Sequence, residues 1–545
     1  MKMKKTIYLV FFAMAGVFTG CTDFLTPEPL ATEKLSDFFK NDSAAVQAVN
    51  AAYVPLQWQL GGTYANEWFI GDVVSDDALK GGASISDMQV VGLMENFQTT
   101  ANNEYLDTFY DINYQGIFRC NFAIENISGM SDDKWTDQHL KTRLIGEAKF
   151  LRAMYHFRLM RVFGGIIKGD RTFNQHDTQM ARSSKAEIVD FIKQDLNDAI
   201  KALPLKSEYP ASELGRATKG AAQALLMRVI LFDILNSSNP DSDYDRVIAL
   251  GDSIINSKEY QLENNYSNIF KVYTGIPLEA KFEKENGPES VFEIQYMAEA
   301  TSDYGGLGRT RGNFDPIMTR TRAGNYGWGF NRPTQDLYDE FEPNDIRRDE
   351  AILPFDEGDV YAPGSYDNGY HARKASLGFW RTTKNGKIFT FPPLQHDTRA
   401  PNNTVVIRYA DVILMYAEAA CERNNIKEGK DKLNLIRLRA RNSASDPTNP
   451  DILPDFPYGS YAENQADLRK AIRHERRVEF AMEGQRWFDL VRWGIAGDVM
   501  NAYREKYIAK EGKDMSPFIK GKHELFPIPE TQLNANPLLQ QNPQY

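Results

Sequence analysis

Apolar residues recur at helical spacing through most of this chain and lose that period between residues 259 and 403. A first helix is expected over 36–56, where Ala44, Val46, Ala48, Val49, Ala51, Ala52 and Tyr53 carry the pattern. Ser36 or Asp37 can cap it, and 41–43 offers a second start. The pattern lapses over 61–103, which reads as loop, and returns over 105–127. Residues 138–163 are apolar nearly all round after Gly146, the mark of a buried helix. The stretch 183–203 opens on SSKAE, in which Ser184 and Glu187 have capping-box spacing, and stops at Pro204. Further helices are expected over 217–235, 244–257, 405–422 and 427–441. Small residues such as Ala148, Gly220, Ala224 and Ala417 mark where consecutive antiparallel helices approach closely. The expected fold class is mainly α, a tetratricopeptide-like helical-repeat scaffold, although the strict repeat signature is absent.

Residues 258–403 are rich in Gly, Pro, Asn and aromatics, with short strand candidates such as SVFEIQY over 290–296. A connection this long in a compact domain implies function. It is expected to form a large irregular, loop-rich lobe on the helical scaffold and to contribute the binding face. Pro527, Pro529, Pro537 and Pro543 exclude a regular helix or central strand from the tail, which is expected to wrap the surface as extended chain.

The strongest pattern is LRKAIRHERRVEFAMEGQRWFDLVRWG, residues 468–494. Leu468, Ala471, Ile472, Val478 and Met482 make one helical stripe, and Glu475 and Glu479 interrupt it. A buried carboxylate is costly unless paired, so an internal ion-pair network is expected, with Arg473, Arg476, Arg477 and Arg486 as nearby donors. Glu483-Gly484 breaks the helix before a second bulky turn. The competing reading makes Glu475 and Glu479 the two carboxylates of a glycosidase. It is disfavoured, because arginine neighbours lower carboxyl pKa values whereas an acid catalyst needs one raised.

The run ERRVEFAMEGQRWFDLVRWG closely resembles the signature near the C-terminus of the SusD/RagB family. GEAKFLRAMYHF, RYADVILMYAEAA and the tail ELFPIPETQLNANPLLQQNPQY are also similar to its recurring blocks. The resemblance implies a tetratricopeptide-like scaffold and a cell-surface glycan-binding lipoprotein without catalytic activity. It also implies a partner, a SusC-like TonB-dependent outer-membrane transporter, and an arc of aromatic residues as the ligand platform.

Other features fit that expectation. A basic start, an apolar run over 7–18 too short to span a bilayer, and Phe18-Thr19-Gly20-Cys21 look like a lipoprotein signal, with Cys21 carrying lipid. The expected organisation is a signal peptide over 1–20, a tether over 21–32, and one domain over 33–545, its scaffold drawn from about 33–257 and 404–545. A net charge of −11 without long basic blocks argues against nucleic acid. Cys120 and Cys421 fit either a disulfide or two buried thiols. No CxxC or HxxxH spacing supports zinc, and no cofactor or metal is expected.

Two regions carry candidate ligand contacts. In WFIGDVVSDDALKGG, residues 68–82, the candidates are Trp68, Asp77 and Lys80, read as a polar loop that hydrogen-bonds sugar hydroxyls. A calcium site is the alternative there, but the spacing is not that of an EF-hand. The second region supplies Tyr296, Tyr304, Arg309, Tyr326 and Trp328, with glycines around Tyr326 and Trp328 leaving ring faces open, and Trp380 as a weaker candidate. Structural packing competes with ligand contact for every one of these rings. The expected function is glycan capture and delivery; a glycoside hydrolase and a helical-repeat interaction scaffold are the alternatives.

Overall fold

The computed structural model describes residues 38–545 except 62, 174–176, 178, 271–272, 275–280, 283–284, 298–310, 323–326, 355–367, 377–378, 384–385, 391–399 and 512–514. Cys21, Tyr304, Arg309 and Tyr326 lie outside the described residues, as does the side chain of Trp380.

Among the described residues, nine helices carry the scaffold. They are α1 (Asp42–Tyr53), α2 (Glu104–Gly129), α3 (Gln138–Phe163), α4 (Lys185–Ala202), α5 (Lys219–Phe232), α6 (Pro240–Ser257), α7 (Tyr409–Glu422), α8 (Ile426–Asn442) and α9 (Gln465–Glu479). From α2 onward each packs on the next, including α6 on α7 across the intervening lobe, which makes one continuous array of helix pairs. Their starts are chemically specified. Asn41, Asn103, Asp137, Ser184, Thr218, Asn239, Asn425 and Asn464 each accept a backbone N–H as cap, worth about 1 kcal/mol apiece. Ser184 and Glu187 form the expected capping box. For α1 the second start prevails, with Asn41 as cap.

Close approach is bought by small residues: a methyl on Gly116 would strike the ring of Tyr155, and one on Gly146 would meet Ala202. α3 is buried on nearly all faces from Leu144 to Phe163. Cys120 and Cys421 are buried free thiols.

Several elements differ from the sequence reading. Val405-Val406-Ile407 is β-branched and forms a strand, Thr404–Arg408, paired antiparallel with Ser290–Ile294 before α7 begins. The segment read as loop over 61–103 holds a π-helical turn (Phe69–Val73), a strand (Ala78–Gly81) and a short helix (Gln89–Glu95). Beyond α9 lie α10 (Arg486–Arg492) and α11 (Ala496–Glu511), the latter not expected. The tail forms a short helix, Glu530–Ala535, immediately after Pro529. Its prolines mark the helix start rather than forbid it.

The lobe is irregular, as expected, with short antiparallel strand pairs. One of them positions the site. Ala78–Gly81 pairs with Phe330–Pro333 in the register Ala78↔Pro333, Leu79↔Arg332, Gly81↔Phe330. The two sequence regions singled out for ligand contact are thereby laid side by side. Among the described residues, no helix is long and apolar enough to cross a membrane.

Candidate functional site: an aromatic platform and the cavity behind it

The foundation of the site is the buried network around α9. Glu475 and Glu479 are fully buried. Arg347 reaches both, at 2.5 and 3.0 Å; Arg437 meets Glu475 at 3.0 Å, while Arg408 (2.5 Å) and Arg439 meet Glu479. Burial alone would raise the Glu479 carboxyl, but Arg439, Arg408 and Arg347 overcome it and hold it well below the usual range. The network is present, but its donors are not the four arginines expected from proximity in sequence. Arg476 pairs with Asp411 and Asp489, Arg486 with Asp76, and Arg477 with Asp76, Asp77, Asp336 and Glu340. Arg473 lies over the Trp493 ring. Helical geometry explains the shift, since residues adjacent to a buried acid point to other faces.

This chemistry turns the 68–82 loop inward. Asp72 Oδ1 accepts from the Gly484 N–H at 2.8 Å and Oδ2 from Asn331 Nδ2 at 3.0 Å; burial pushes its carboxyl up to about 7. Asp77 Oδ1 accepts from Arg477 Nε at 2.8 Å. Lys80 Nζ donates to the carbonyls of Gly81 (2.9 Å), Ser84 (3.1 Å) and Asp87. Asp77 and Lys80 are each 1% exposed. The expectation that they present polar groups to sugar hydroxyls is therefore corrected: their hydrogen-bonding capacity is spent inside the protein, where they fix the loop.

Trp328 is placed differently. It is half-buried, its backbone N–H donates to the Ile317 carbonyl at 2.8 Å, and its ring meets Tyr64 edge-on with centroids 5.5 Å apart. Tyr64 in turn meets Phe314 at 5.7 Å. The flanking glycines have a different purpose from the one expected. A methyl on Gly327 would lie 2.4 Å from Arg320 Cβ, and Gly329 has φ +74°, so both allow the chain to fold tightly against 320–322. Tyr64, missed by the sequence reading, sits in a segment whose chemistry is unremarkable until the fold brings it to Trp328.

Trp68 and Tyr296 are brought together in the lining of a cavity of about 190 Å³. Both are largely buried. Asp315 organises its wall: Oδ1 accepts from Asn66 Nδ2 (2.7 Å), Trp68 Nε1 (2.8 Å) and Gln59 Nε2 (3.0 Å), and Oδ2 from Thr404 Oγ1 (3.2 Å). The Tyr296 N–H donates to Asn403 Oδ1 at 2.9 Å. Asp315 carried no signal in the sequence, since a lone Asp-Pro reads as a turn.

Comparison with known proteins decides the family. The SusD family model matches residues 288–545, and a second model, described as starch-binding associating with outer membrane, matches 37–231. The chain belongs to the SusD/RagB family. A SusD-like protein of Formosa agariphila is 27% identical over 520 residues, covering 92% of this chain and 94% of that one. Surface glycan-binding protein A from Bacteroides fluxus superposes with a TM-score of 0.74 at 25% identity, covering 92% of this chain and 99% of its own. A laminarin-binding SusD-like protein gives 0.73 at 26%, covering 93% and 100%. This chain is thus an outer-membrane-associated SusD-like glycan-binding protein. SusD-family glycan-binding proteins are non-catalytic, which sets the hydrolase alternative aside.

Proposed function

We propose that this SusD-like protein captures glycan at the cell surface on the platform of Trp328 and Tyr64 and delivers it to a SusC-like TonB-dependent outer-membrane transporter. The observation that supports the platform is the setting of Trp328. Its backbone is pinned, one ring edge rests on Tyr64, and the side chain stays partly open. A sugar's C–H face stacks on such a ring without any rearrangement of the protein. Tyr304, Arg309 and Tyr326, close in sequence to the platform, are the remaining proposed contacts. Trp68 and Tyr296 act from behind it. A lipid on Cys21 ties the chain to the membrane in this reading, at ~0.8 kcal/mol per buried methylene.

Affinity electrophoresis on a polysaccharide panel tests the reading. Laminarin comes first, because a protein 26% identical to this chain is a laminarin binder. Retardation by one polymer, weakened in Trp328→Ala, is expected; retardation by none would remove the glycan reading. Delivery is tested by co-purification with the outer-membrane transporter, and the anchor by Cys21→Ala, which should release the chain from membranes.

A further inference from the structure

We propose that the cavity behind Trp68 is a second carbohydrate site, separate from the Trp328 platform, which takes one neutral hexose unit. The proposal rests on the glycan-binding reading and refines it. At about 190 Å³ the cavity is smaller than the ~300–1,000 Å³ of most ligand pockets, which limits an occupant to about one sugar ring.

Its wall contains an incomplete hydrogen-bond set. Asn66 Oδ1, Asn402 Oδ1, Arg158 Nη1 and Arg161 Nε belong to residues that line the cavity, and all four atoms are buried without a partner. Asn66, Asn402 and Arg161 are 2%, 5% and 8% exposed. An orphaned buried polar group is costly to the folded state. Four on the residues of one wall are a set that a bound molecule can complete.

The composition of the set selects the class of molecule. Two of the atoms accept and two donate. An inorganic anion would satisfy only the two guanidinium donors and would meet Glu285 and Asp315 in the same wall; a metal cation would satisfy only the amide oxygens and meet Arg158, Arg161 and Arg228. A hydroxyl does both. A polyol therefore completes all four, and the rings of Trp68 and Tyr296 supply the apolar wall that a pyranose face requires. Burial first, with Arg228 and Arg158 adding to it and Glu67 opposing, brings the Arg161 guanidinium down to about 10, as fits a donor stripped of water.

Cavity and platform share two segments. In the first, Tyr64 meets Trp328 while Asn66 and Trp68 line the cavity; in the second, Phe314 meets Tyr64 while Asp315 binds Asn66 and Trp68.

The test uses Trp328→Ala protein, which lacks the platform ring, titrated with glucose, galactose, mannose and galacturonate while tryptophan fluorescence, to which Trp58 and Trp68 in the cavity wall both contribute, is followed. A saturable change with at least one hexose is expected. Asn402→Leu, which keeps the number and branching of the side-chain heavy atoms and removes one orphaned acceptor, should weaken it about ten-fold or more, with the Tm of the hexose-free protein unchanged or raised. The proposal is overturned by no saturable response in folded Trp328→Ala protein, by a response to galacturonate alone, or by one that Asn402→Leu leaves intact. Wild-type binding to polysaccharide separates the two readings. If it is absent, glycan binding itself fails; if it is present and Trp328→Ala protein ignores hexoses, only the cavity site fails.

Discussion

Gly71 and Gly484 meet backbone to backbone: a methyl on Gly71 would lie 2.0 Å from the Gly484 carbonyl oxygen. This contact locks the π-helical turn after Trp68 onto the break that follows α9, and Asp72 seals it by accepting the Gly484 N–H. The obstacle is backbone, which cannot swing aside as a flexible side chain can. Gly71→Ala is therefore expected to lower stability by about 3 kcal/mol or more. Urea unfolding followed by circular dichroism measures it, and an unchanged midpoint would mean the two turns are not in contact.

Glu479 carries the largest expected loss among the acids of α9. It faces Arg347, Arg408 and Arg439 in the interior, so Glu479→Gln leaves three buried guanidiniums short of a counter-charge, at about 3–5 kcal/mol. Arg473, two residues before Glu475, is the contrast. Its half-buried guanidinium lies 5.0 Å from the centre of the Trp493 ring, and Arg473→Ala should cost about 1 kcal/mol. Equal losses for the two variants would contradict the assignment of donors.

That contrast shows what could be read from the chain. The bounds of α3, the capping box at Ser184 and the burial of Glu475 and Glu479 follow from local periodicity and polarity, which a sequence displays directly. The partners of those acids do not, because Arg347 lies 132 residues before Glu479. The same limit hid the platform: Tyr64 joins Trp328 only through tertiary folding. It also misplaced Asp77 and Lys80, since a Gly- and Asp-rich segment reads as exposed loop unless its cationic partner, 400 residues away for Asp77, is known.

His474 gives the protein a pH dependence on the alkaline side. Its Nδ1 lies 2.7 Å from Glu340 and its Nε2 3.4 Å from Glu342. Burial opposes its charge, but Glu340, Glu342 and Glu475 win and raise it from 6.5 to about 9; Arg477 and Arg437 share the same carboxylates. For a raised base the stabilisation is complete below pH 6.5 and is lost as pH climbs through 9, an effect on the order of 3 kcal/mol. The carboxylates behave oppositely. Glu340 and Glu342 are held at about 2, so their share is full above 4.5 and lost as pH falls through 2. Denaturant midpoints should therefore fall between pH 6 and 9.5 in the wild type by more than in His474→Gln, and parallel curves would remove the charged histidine.

Trp328 and Tyr64 should contribute unequally to glycan affinity. An aromatic face is worth about 0.5–1.5 kcal/mol beyond burial, so Trp328→Ala is expected to weaken binding up to about ten-fold. Tyr64 meets Trp328 edge-on and also packs on Phe314, so it supports the ring as well as adding surface. Tyr64→Phe, which keeps both ring contacts, should bind nearly as well as wild type, whereas Tyr64→Ala lets the indole move and should approach the loss of Trp328→Ala. The double variant then loses less than the sum of the two, because the residues act as one unit. Isothermal titration with a polysaccharide already shown to bind measures the wild type and the four variants. Strict additivity would mean that each ring holds the ligand independently, and the supporting role of Tyr64 would have to be abandoned.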